Sequence, residues 1–175
     1  MKKLLALVMS LCLLCACCAY AEETVEINWS DVEEQASSIE GQFAPIADLG
    51  VMMFIPAVFG SAEVTEEQKA AGVIALLTTA DGAGRVSFTY QDLGEMDSEA
   101  YTAELIKAGA TDLEIVTLNG RAALSYELVI NDVKTMNVVI DIDETKILTV
   151  SFAPMDDEGF AAVAQIMAAS LQNAQ

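Results

Sequence analysis

Apolar and polar residues alternate along much of this chain after residue 73. Val86, Phe88 and Tyr90 fall on one side of an extended segment, which follows an apolar stretch at residues 73–79 and a glycine-rich turn. Alternation with a period of two residues is typical of strands that bury one face. The pattern therefore predicts an antiparallel hairpin over residues 73–90.

The same kind of pattern predicts three further hairpins. Residues 113–118 and 122–130 are joined by Asn119 and Gly120, a dipeptide that favours a two-residue type I′ turn. Residues 136–142 alternate and are followed by a turn and a second alternating segment at residues 148–152. Nearer the N-terminus, two short apolar segments within residues 43–55 flank a glycine-containing turn and predict the remaining hairpin.

Capping residues and helical spacing predict four helices around these hairpins. Capping-box patterns indicate that short helices begin at Ser30 and at Thr65, and Gly41 is expected to end the first of them. A third helix is predicted over residues 98–108. The acidic run at residues 156–158 is expected to cap the last helix, in which apolar residues recur at helical spacing.

Consecutive hairpins with helices between and after them predict an α+β fold, an antiparallel β-sheet built from consecutive hairpins and flanked by helices. We expect a single domain over residues 41–173. Residues 22–40 are expected to form an acidic lead-in that is loosely ordered apart from its short helix. Within this lead-in, Trp29 is expected to fasten the helix to the domain. The core is expected to bury four aromatic side chains on inward strand faces, namely Phe88, Tyr90, Tyr126 and Phe152.

The first 21 residues have the order of charge, apolar run and small residues that is typical of a secretory signal peptide. Their apolar stretch, at residues 4–18, is shorter than the about 20 residues that span a bilayer as a helix. Cleavage after Ala21 would release the chain, and we favour this route because Ala19 and Ala21 are both small. Lipidation of Cys17, which lies in a lipobox-like segment, is the alternative and would give a membrane-anchored lipoprotein. Either route predicts an exported protein that is secreted, periplasmic or held at the cell surface.

Charge and composition exclude several function classes. The chain has 27 acidic residues, 8 basic residues, no histidine and a net charge of −19. Cleavage after Ala21 would remove two lysines and all four cysteines, leaving 6 basic residues and a net charge of −21. Such a charge repels phosphate backbones, which excludes nucleic-acid binding. Without histidine or cysteine the mature chain cannot form a Ser-His-Asp triad, a Cys-His pair or a usual zinc site. We therefore expect no enzyme of these classes, and we assign no catalytic residue and no cofactor.

Two acidic clusters are candidate metal sites. Asp141, Asp143 and Glu144 lie at a predicted strand end, where hard oxygen ligands could bind calcium. The segment is not an EF-hand, because Lys146 stands where the loop requires glycine. A solvated turn is the favoured interpretation, and the acids at residues 156–158 are expected to cap a helix. We therefore assign no metal ligand.

The order of the predicted elements resembles the PsbP-like fold. The resemblance depends on a hairpin ending in Ile55-Pro56, a middle helix, an antiparallel run that contains Asn119-Gly120, and a closing helix. It covers roughly residues 43–171. The group includes the extrinsic PsbP subunit of photosystem II, a Ran-binding nuclear-transport factor and small exported bacterial proteins such as DcrB. The resemblance implies an antiparallel sheet flanked by helices that serves as a binding or assembly module, and the partner-contacting residues of these relatives have no match here.

These observations lead to one favoured function and two alternatives. The favoured hypothesis is an exported, strongly acidic, non-catalytic binding or assembly module with a protein or envelope partner. A carboxylate-dependent hydrolase would need two acids that converge in a pocket. A calcium-binding envelope protein would need the acidic turn as its site. No transmembrane span is expected in the mature chain, so contact with a membrane would require a lipid on Cys17.

Overall fold

A computed structural model describes residues 24–174 of the chain. Its strands are β1 (Val25–Ile27), β2 (Gly41–Pro45), β3 (Val51–Pro56), β4 (Phe59–Ser61), β5 (Val73–Thr79), β6 (Arg85–Asp92), β7 (Thr111–Leu118), β8 (Arg121–Ile130), β9 (Val133–Asp141), β10 (Lys146–Ala153) and β11 (Gln172–Asn173). Its helices are α1 (Trp29–Ala36), α2 (Glu66–Ala70), α3 (Ser98–Lys107) and α4 (Glu158–Ala169). The signal-peptide prediction, with Ala21 and Cys17, lies outside the described residues. No helix within residues 24–174 is long and apolar enough to cross a membrane.

The strands form two sheets. The larger sheet has eight strands in the order β1-β7-β8-β9-β10-β6-β5-β4, and the smaller has three in the order β11-β3-β2. All pairings are antiparallel except the one between β1 and β7. This architecture confirms the predicted α+β class and each of the four predicted hairpins. The pairing of β6 with β10 joins segments that are far apart in sequence and brings three of the four hairpins into the large sheet, whereas the β2–β3 hairpin belongs to the small sheet.

The main core lies between the small sheet, α4 and one face of the large sheet, which we call the inner face. Its members include Met53 of β3, Phe152 of β10 and Met167 of α4, and each of these side chains is 0% exposed. The inner face is apolar because alternate residues of β6, β9 and β10 point to it. Complete burial of large side chains from three elements makes this layer the main source of stability.

Asn119 fastens the β7–β8 turn to two helices. Asn119 and Gly120 both have positive φ, at 50° and 79°, as a type I′ turn requires. The Asn119 side-chain oxygen accepts a hydrogen bond of 2.6 Å from the backbone N–H of Trp29. Its amide nitrogen donates to the carbonyl oxygens of Ala169 and Leu171 at 2.8 Å. The residue predicted as a hairpin signal therefore also links α1 to the end of α4.

The structure corrects the prediction for the N-terminal lead-in. Val25–Ile27 is not loosely ordered, because it pairs with β7 as a parallel strand. The N-cap residue of the first helix is Asn28 and not Ser30, which lies within the helix. The Asp31 carboxylate accepts a hydrogen bond from the backbone N–H of Asn28 at 2.8 Å. Gly41 does not end this helix but begins β2, where a Cβ atom would lie 2.6 Å from the ring of Phe54.

Trp29 packs as the sequence predicted. Its ring centroid lies 5.1 Å from that of Phe43 and 5.6 Å from that of Phe54, both in the small sheet. These aromatic contacts hold α1 against the small sheet. Two of the four aromatic predictions need correction. Tyr126 is buried on the opposite side of the large sheet from Phe88 and Phe152, and Tyr90 is only half-buried and belongs to none of the hydrophobic clusters within residues 24–174.

Candidate functional site

The second face of the large sheet, which we call the outer face, provides an apolar surface beneath α3. Leu124 of β8 is paired with Val139 of β9, and Ile147 of β10 lies beside them. Val139 and Ile147 are buried, whereas Leu124 is half-buried. They share a face because residues paired across neighbouring strands point to the same side of the sheet, and so do residues two apart in one strand. Three adjacent strands therefore form a continuous apolar floor.

Helix α3 covers this floor only in part. None of its residues is buried, and it contacts the sheet mainly through the half-buried side chains of Tyr101 and Leu105. Gly94 and Gly109 flank the helix with φ of 60° and 95°, in the left-handed region that glycine adopts readily. The Asp97 side chain caps the helix by accepting a hydrogen bond of 2.8 Å from the backbone N–H of Ala100. The helix is thus well formed but lightly held against the sheet.

A cavity of about 570 Å³ lies between the first half of α3 and the floor, and we call it the α3 pocket. This volume is within the range of about 300–1,000 Å³ that is typical of small-molecule sites. Its apolar lining includes Leu93, Met96, Ile115, Leu124, Val139 and Ile147. Polar groups of Ser98, Thr102 and Tyr101 also line it, together with a charged rim. An apolar interior with a few convergent polar groups can bind and orient a ligand.

The structure brings the predicted acidic turn to the rim of this pocket. Asp141, Asp143, Glu144 and Lys146 all line it, and so does Asp97 from the start of α3. Sequence separation between Asp97 and the turn had hidden this grouping. The rim therefore has four carboxylates and one ammonium group, which makes the mouth of the pocket strongly acidic.

Asp143 is held by contacts within its own turn. Its carboxylate accepts hydrogen bonds of 3.0 Å from the backbone N–H groups of Thr145 and Lys146, and the Lys146 Nζ atom lies 3.0 Å from its second oxygen. These hydrogen bonds, that of Thr145 first, lower the pKa of Asp143. The same pairing raises the pKa of Lys146. A lowered pKa is the opposite of what a general acid needs, so Asp143 does not support the hydrolase alternative.

The acidic clusters can also be compared with the grouping that a metal ion needs. Among residues 24–174, no three acidic, histidine or cysteine side chains are grouped so that they could hold a metal ion. The acids at the start of α4 act as the sequence suggested, since the Asp157 carboxylate accepts a hydrogen bond of 2.7 Å from the backbone N–H of Phe160. Both predicted acidic clusters are therefore explained by local structure and by the rim of the pocket.

Tyr101, which lines the α3 pocket, lies close to two further polar side chains, those of Tyr126 and Thr149. Thr149 is directly opposite Val139 and two residues from Ile147, so it continues the floor inward. It is 6% exposed, and its buried hydroxyl lies near the phenol of Tyr101. Burial raises the pKa of Tyr101, and burial followed by the proximity of Tyr101 raises the pKa of Tyr126. Both phenols are therefore neutral at physiological pH.

A second cavity, of about 480 Å³, lies between the free edge of β2 and strands β4 and β5, and we call it the hairpin cleft. Its lining is mostly apolar and includes Ile55, Pro56, Leu77 and Phe88. Glu40 is its one charged lining residue within the described part of the chain. Twisted sheets that pack together diverge at their corners, and that divergence leaves such a gap. Only three polar side chains line it, those of Glu40, Gln42 and Ser61, so fewer side chains are available to orient a ligand and the hairpin cleft is the weaker candidate.

The pocket is not apparent from the sequence for a physical reason. Val139, Ile147 and Leu124 look like ordinary strand positions, and only strand pairing shows that they form one floor. One signal was present in the sequence. The helix at residues 98–107 has only a sparse apolar stripe, and Gly94 and Gly109 flank it closely. A helix of this kind is expected to cover a sheet incompletely.

Comparisons with known proteins show similarity in structure alone. The sequence matches no known family model, and no curated protein matches it significantly. The solution structure of cyanobacterial PsbP (CyanoP) from Synechocystis sp. PCC 6803 is similar with a TM-score of 0.57 and 12% sequence identity. The similarity covers 78% of this chain and 94% of CyanoP.

Two further solved structures give a similar picture. A protein of Bacteroides thetaiotaomicron VPI-5482 has a TM-score of 0.50 and 15% identity over 78% of this chain, which spans 48% of that protein. LpqN, involved in cell envelope biogenesis of Mycobacterium tuberculosis, has a TM-score of 0.49 and 14% identity over 82% of this chain and 97% of LpqN. The conclusion on the fold depends on CyanoP and the Bacteroides protein. The arrangement of helices and mostly antiparallel sheets, together with these similarities, shows that this chain has the PsbP-like fold.

Proposed function

We propose that this protein is an exported, non-catalytic binding module whose ligand site is the α3 pocket. The observation that supports this function is an apolar floor beneath a helix that has no buried side chain. Folding normally covers apolar strand faces tightly, because their burial is the main favourable term in stability. A floor left partly uncovered, with polar groups at its edge, is suited to a ligand that completes the burial.

Export is the second part of the proposal. The charged, apolar and small residues of the first 21 positions have the composition of a signal peptide. The favoured route is cleavage after Ala21, and lipidation at Cys17 is the alternative. A high negative charge keeps the released domain away from anionic lipid surfaces and nucleic acids. The binding module therefore acts on a ligand or partner in the envelope or outside the cell.

Binding at the α3 pocket is tested with a neutral apolar dye such as Nile red and two matched blocking variants. Ala122 is exposed and lines the α3 pocket, and Ala57 is exposed and lines the hairpin cleft. Ala122→Trp places an indole in the first cavity and Ala57→Trp places one in the second, with little cost to the core in either case. We expect Ala122→Trp to weaken dye binding roughly tenfold, which corresponds to about 1.4 kcal/mol. Ala57→Trp is expected to leave binding unchanged.

The two variants make the outcome decisive. Loss of dye binding in Ala57→Trp alone would move the site to the hairpin cleft. Absence of dye binding in the unmodified protein, or equal binding in all three proteins, would contradict a ligand site under α3. Circular dichroism of each variant verifies that the fold is retained.

Export is tested by the intact mass and N-terminal sequence of the protein made in its native host. A chain that begins at Glu22 indicates cleavage after Ala21, and a diacylated Cys17 indicates a lipid anchor. A chain that retains Met1 and remains with the cytoplasmic fraction would contradict export.

A further inference from the structure

The rim of the α3 pocket indicates the charge of the ligand. Asp97, Asp141, Asp143 and Glu144 line the pocket with one basic residue, Lys146. The lining therefore carries an excess of three negative charges around an apolar floor. The whole chain has a net charge of −19, so its overall field has the same sign as the local one. An anionic ligand would be repelled by both.

Two of these carboxylates are open to a ligand. Asp143 is occupied, because it is paired with Lys146 at 3.0 Å and accepts two backbone hydrogen bonds. Asp141 and Glu144 are exposed, and within residues 24–174 neither side chain forms a hydrogen bond or an ion pair. An ammonium group could therefore pair with these carboxylates without breaking an existing hydrogen bond or ion pair.

The apolar residues indicate the rest of the ligand. Met96 and Ile115 line the pocket and are 42% and 63% exposed, which is unusual for side chains of this size. Behind them lie the buried side chains of Val139 and Ile147. An aliphatic body placed between α3 and this floor would remove the exposed side chains of Met96 and Ile115 from water and pack against the buried pair. The acidic rim would then lie at the end of the ligand that stays near solvent.

From this arrangement we infer that the α3 pocket binds a small cationic amphiphile, an aliphatic body that ends in an amine. The inference rests on the proposed function, because it names the ligand class of the same pocket. The aliphatic body contacts Ile115, Leu124, Val139 and Ile147. The ammonium group lies at the rim beside Asp141 and Glu144.

Three probes with the same chain and different head groups test the inference. Octylammonium, octanol and octanoate are titrated below their micelle concentrations into the ¹⁵N-labelled full chain at neutral pH and low ionic strength. We expect octylammonium to bind roughly three- to tenfold more tightly than octanol, as one or two exposed ion pairs would provide. Octanoate is expected to bind more weakly than octanol. Shift changes should centre on α3 and on the adjoining ends of β8, β9 and β10. Raising the salt to about 0.5 M should reduce the preference, since screening weakens exposed charge pairs.

A double variant and its matched control identify the carboxylates. Asp141→Asn with Glu144→Gln is expected to weaken octylammonium to the affinity of octanol and to leave octanol unchanged. Asp48→Asn with Glu63→Gln makes the same change in charge at two exposed acids outside the α3 pocket. In this control, the logarithm of the ratio between octylammonium and octanol affinities is expected to remain at least half of its value in the unmodified protein.

The outcomes separate the inference from the proposed function. Equal binding of the three probes, or an amine preference that survives in the Asp141/Glu144 double variant, would overturn the cationic ligand. If those probes are still blocked by Ala122→Trp, the binding site itself stands. If no probe binds and Nile red is unaffected by Ala122→Trp, the inference and the proposed function both fail.

Discussion

The two faces of the eight-stranded sheet are built from the same strands and packed to different degrees. On the inner face, Leu148, Val150 and Phe152 of β10 are all 0% exposed beneath α4 and the small sheet. On the outer face, the same strand presents Ile147 and Thr149 to α3, a helix with no buried residue. One face therefore supplies most of the stability, and the other retains the space and polar groups of a binding site. The difference shows that alternation specifies two faces without specifying how tightly each is covered.

The sharpest test of this difference uses the same substitution on each side. Leu148→Ala creates a cavity in the inner core and is expected to lower the free energy of unfolding by about 3–4 kcal/mol. Leu105→Ala, on the partly exposed side of α3, is expected to lower it by about 1 kcal/mol, since less apolar area is lost from a looser contact. Urea unfolding of both variants measures the two values. Similar losses would contradict the assignment of the inner face as the main core.

The next largest effect concerns the Asn119 side chain, which links α1 to the end of α4 by hydrogen bonds. Asn119→Ala removes hydrogen bonds to Trp29, Ala169 and Leu171 and places alanine at a φ of 50°. Together these losses are expected to cost about 3 kcal/mol.

The control for this variant is Asn131→Ala, in the turn between β8 and β9. Asn131 has a φ of 51°, and within the described residues its side chain forms no hydrogen bond. Asn131→Ala is expected to lower the free energy of unfolding by about 1 kcal/mol, because only the positive φ is unfavourable for alanine. Equal unfolding free energies for the two variants would show that Asn119 acts only as a turn residue. The measurement is chemical unfolding under identical conditions.

The smallest effect is a pH dependence that belongs to the outer face. Burial raises the pKa of both Tyr101 and Tyr126 above the ordinary tyrosine value of about 10. Above that pH the unfolded chain loses phenolic protons that the folded chain retains, so stability is full below about pH 10 and falls as the pH rises further. The slope is expected to stay below about 1.4 kcal/mol per pH unit, because both phenols retain some contact with solvent.

Tyr126→Phe is the matched variant, because it keeps the ring and removes the titrating group. Unfolding free energies measured at several pH values above 9 should show a shallower decline in this variant. An unchanged decline would show that another group titrates. The hydrophobic cluster of the inner core contains no titratable side chain among residues 24–174, so it offers no comparable titration.

Local features of the fold were predictable because they depend on neighbouring residues. The Asn119-Gly120 turn and the Thr65–Gln68 capping box are both present, and in the latter the Thr65 hydroxyl accepts a hydrogen bond of 3.2 Å from the N–H of Gln68. The strand β1 could not be predicted, since three residues are too few to show periodicity and its partner β7 lies about ninety residues away. The N-cap of α1 was misplaced because Ser30 and Asn28 are both good caps. Packing of Trp29 against Phe43 and Phe54 agrees with a start at Trp29.

The candidate site was predictable only in its parts. Asp141, Asp143 and Glu144 were recognised as a cluster, but the sequence could not show that Asp97 faces them. Nor could it show that Val139 and Leu124 lie side by side, because alternation does not say which strands pair. The role of the acidic turn as a pocket rim depends on both facts.

The hairpins, the α+β class and most of each helix are predictable from the sequence, because they depend on patterns among residues close together in the chain, and the high negative charge follows from composition. The division of the strands into two sheets, the pairing of β6 with β10 and the pocket beneath α3 depend on contacts between distant segments. The physical reason is that side-chain periodicity assigns a residue to a face, whereas the neighbour across that face is chosen by the packing of distant segments.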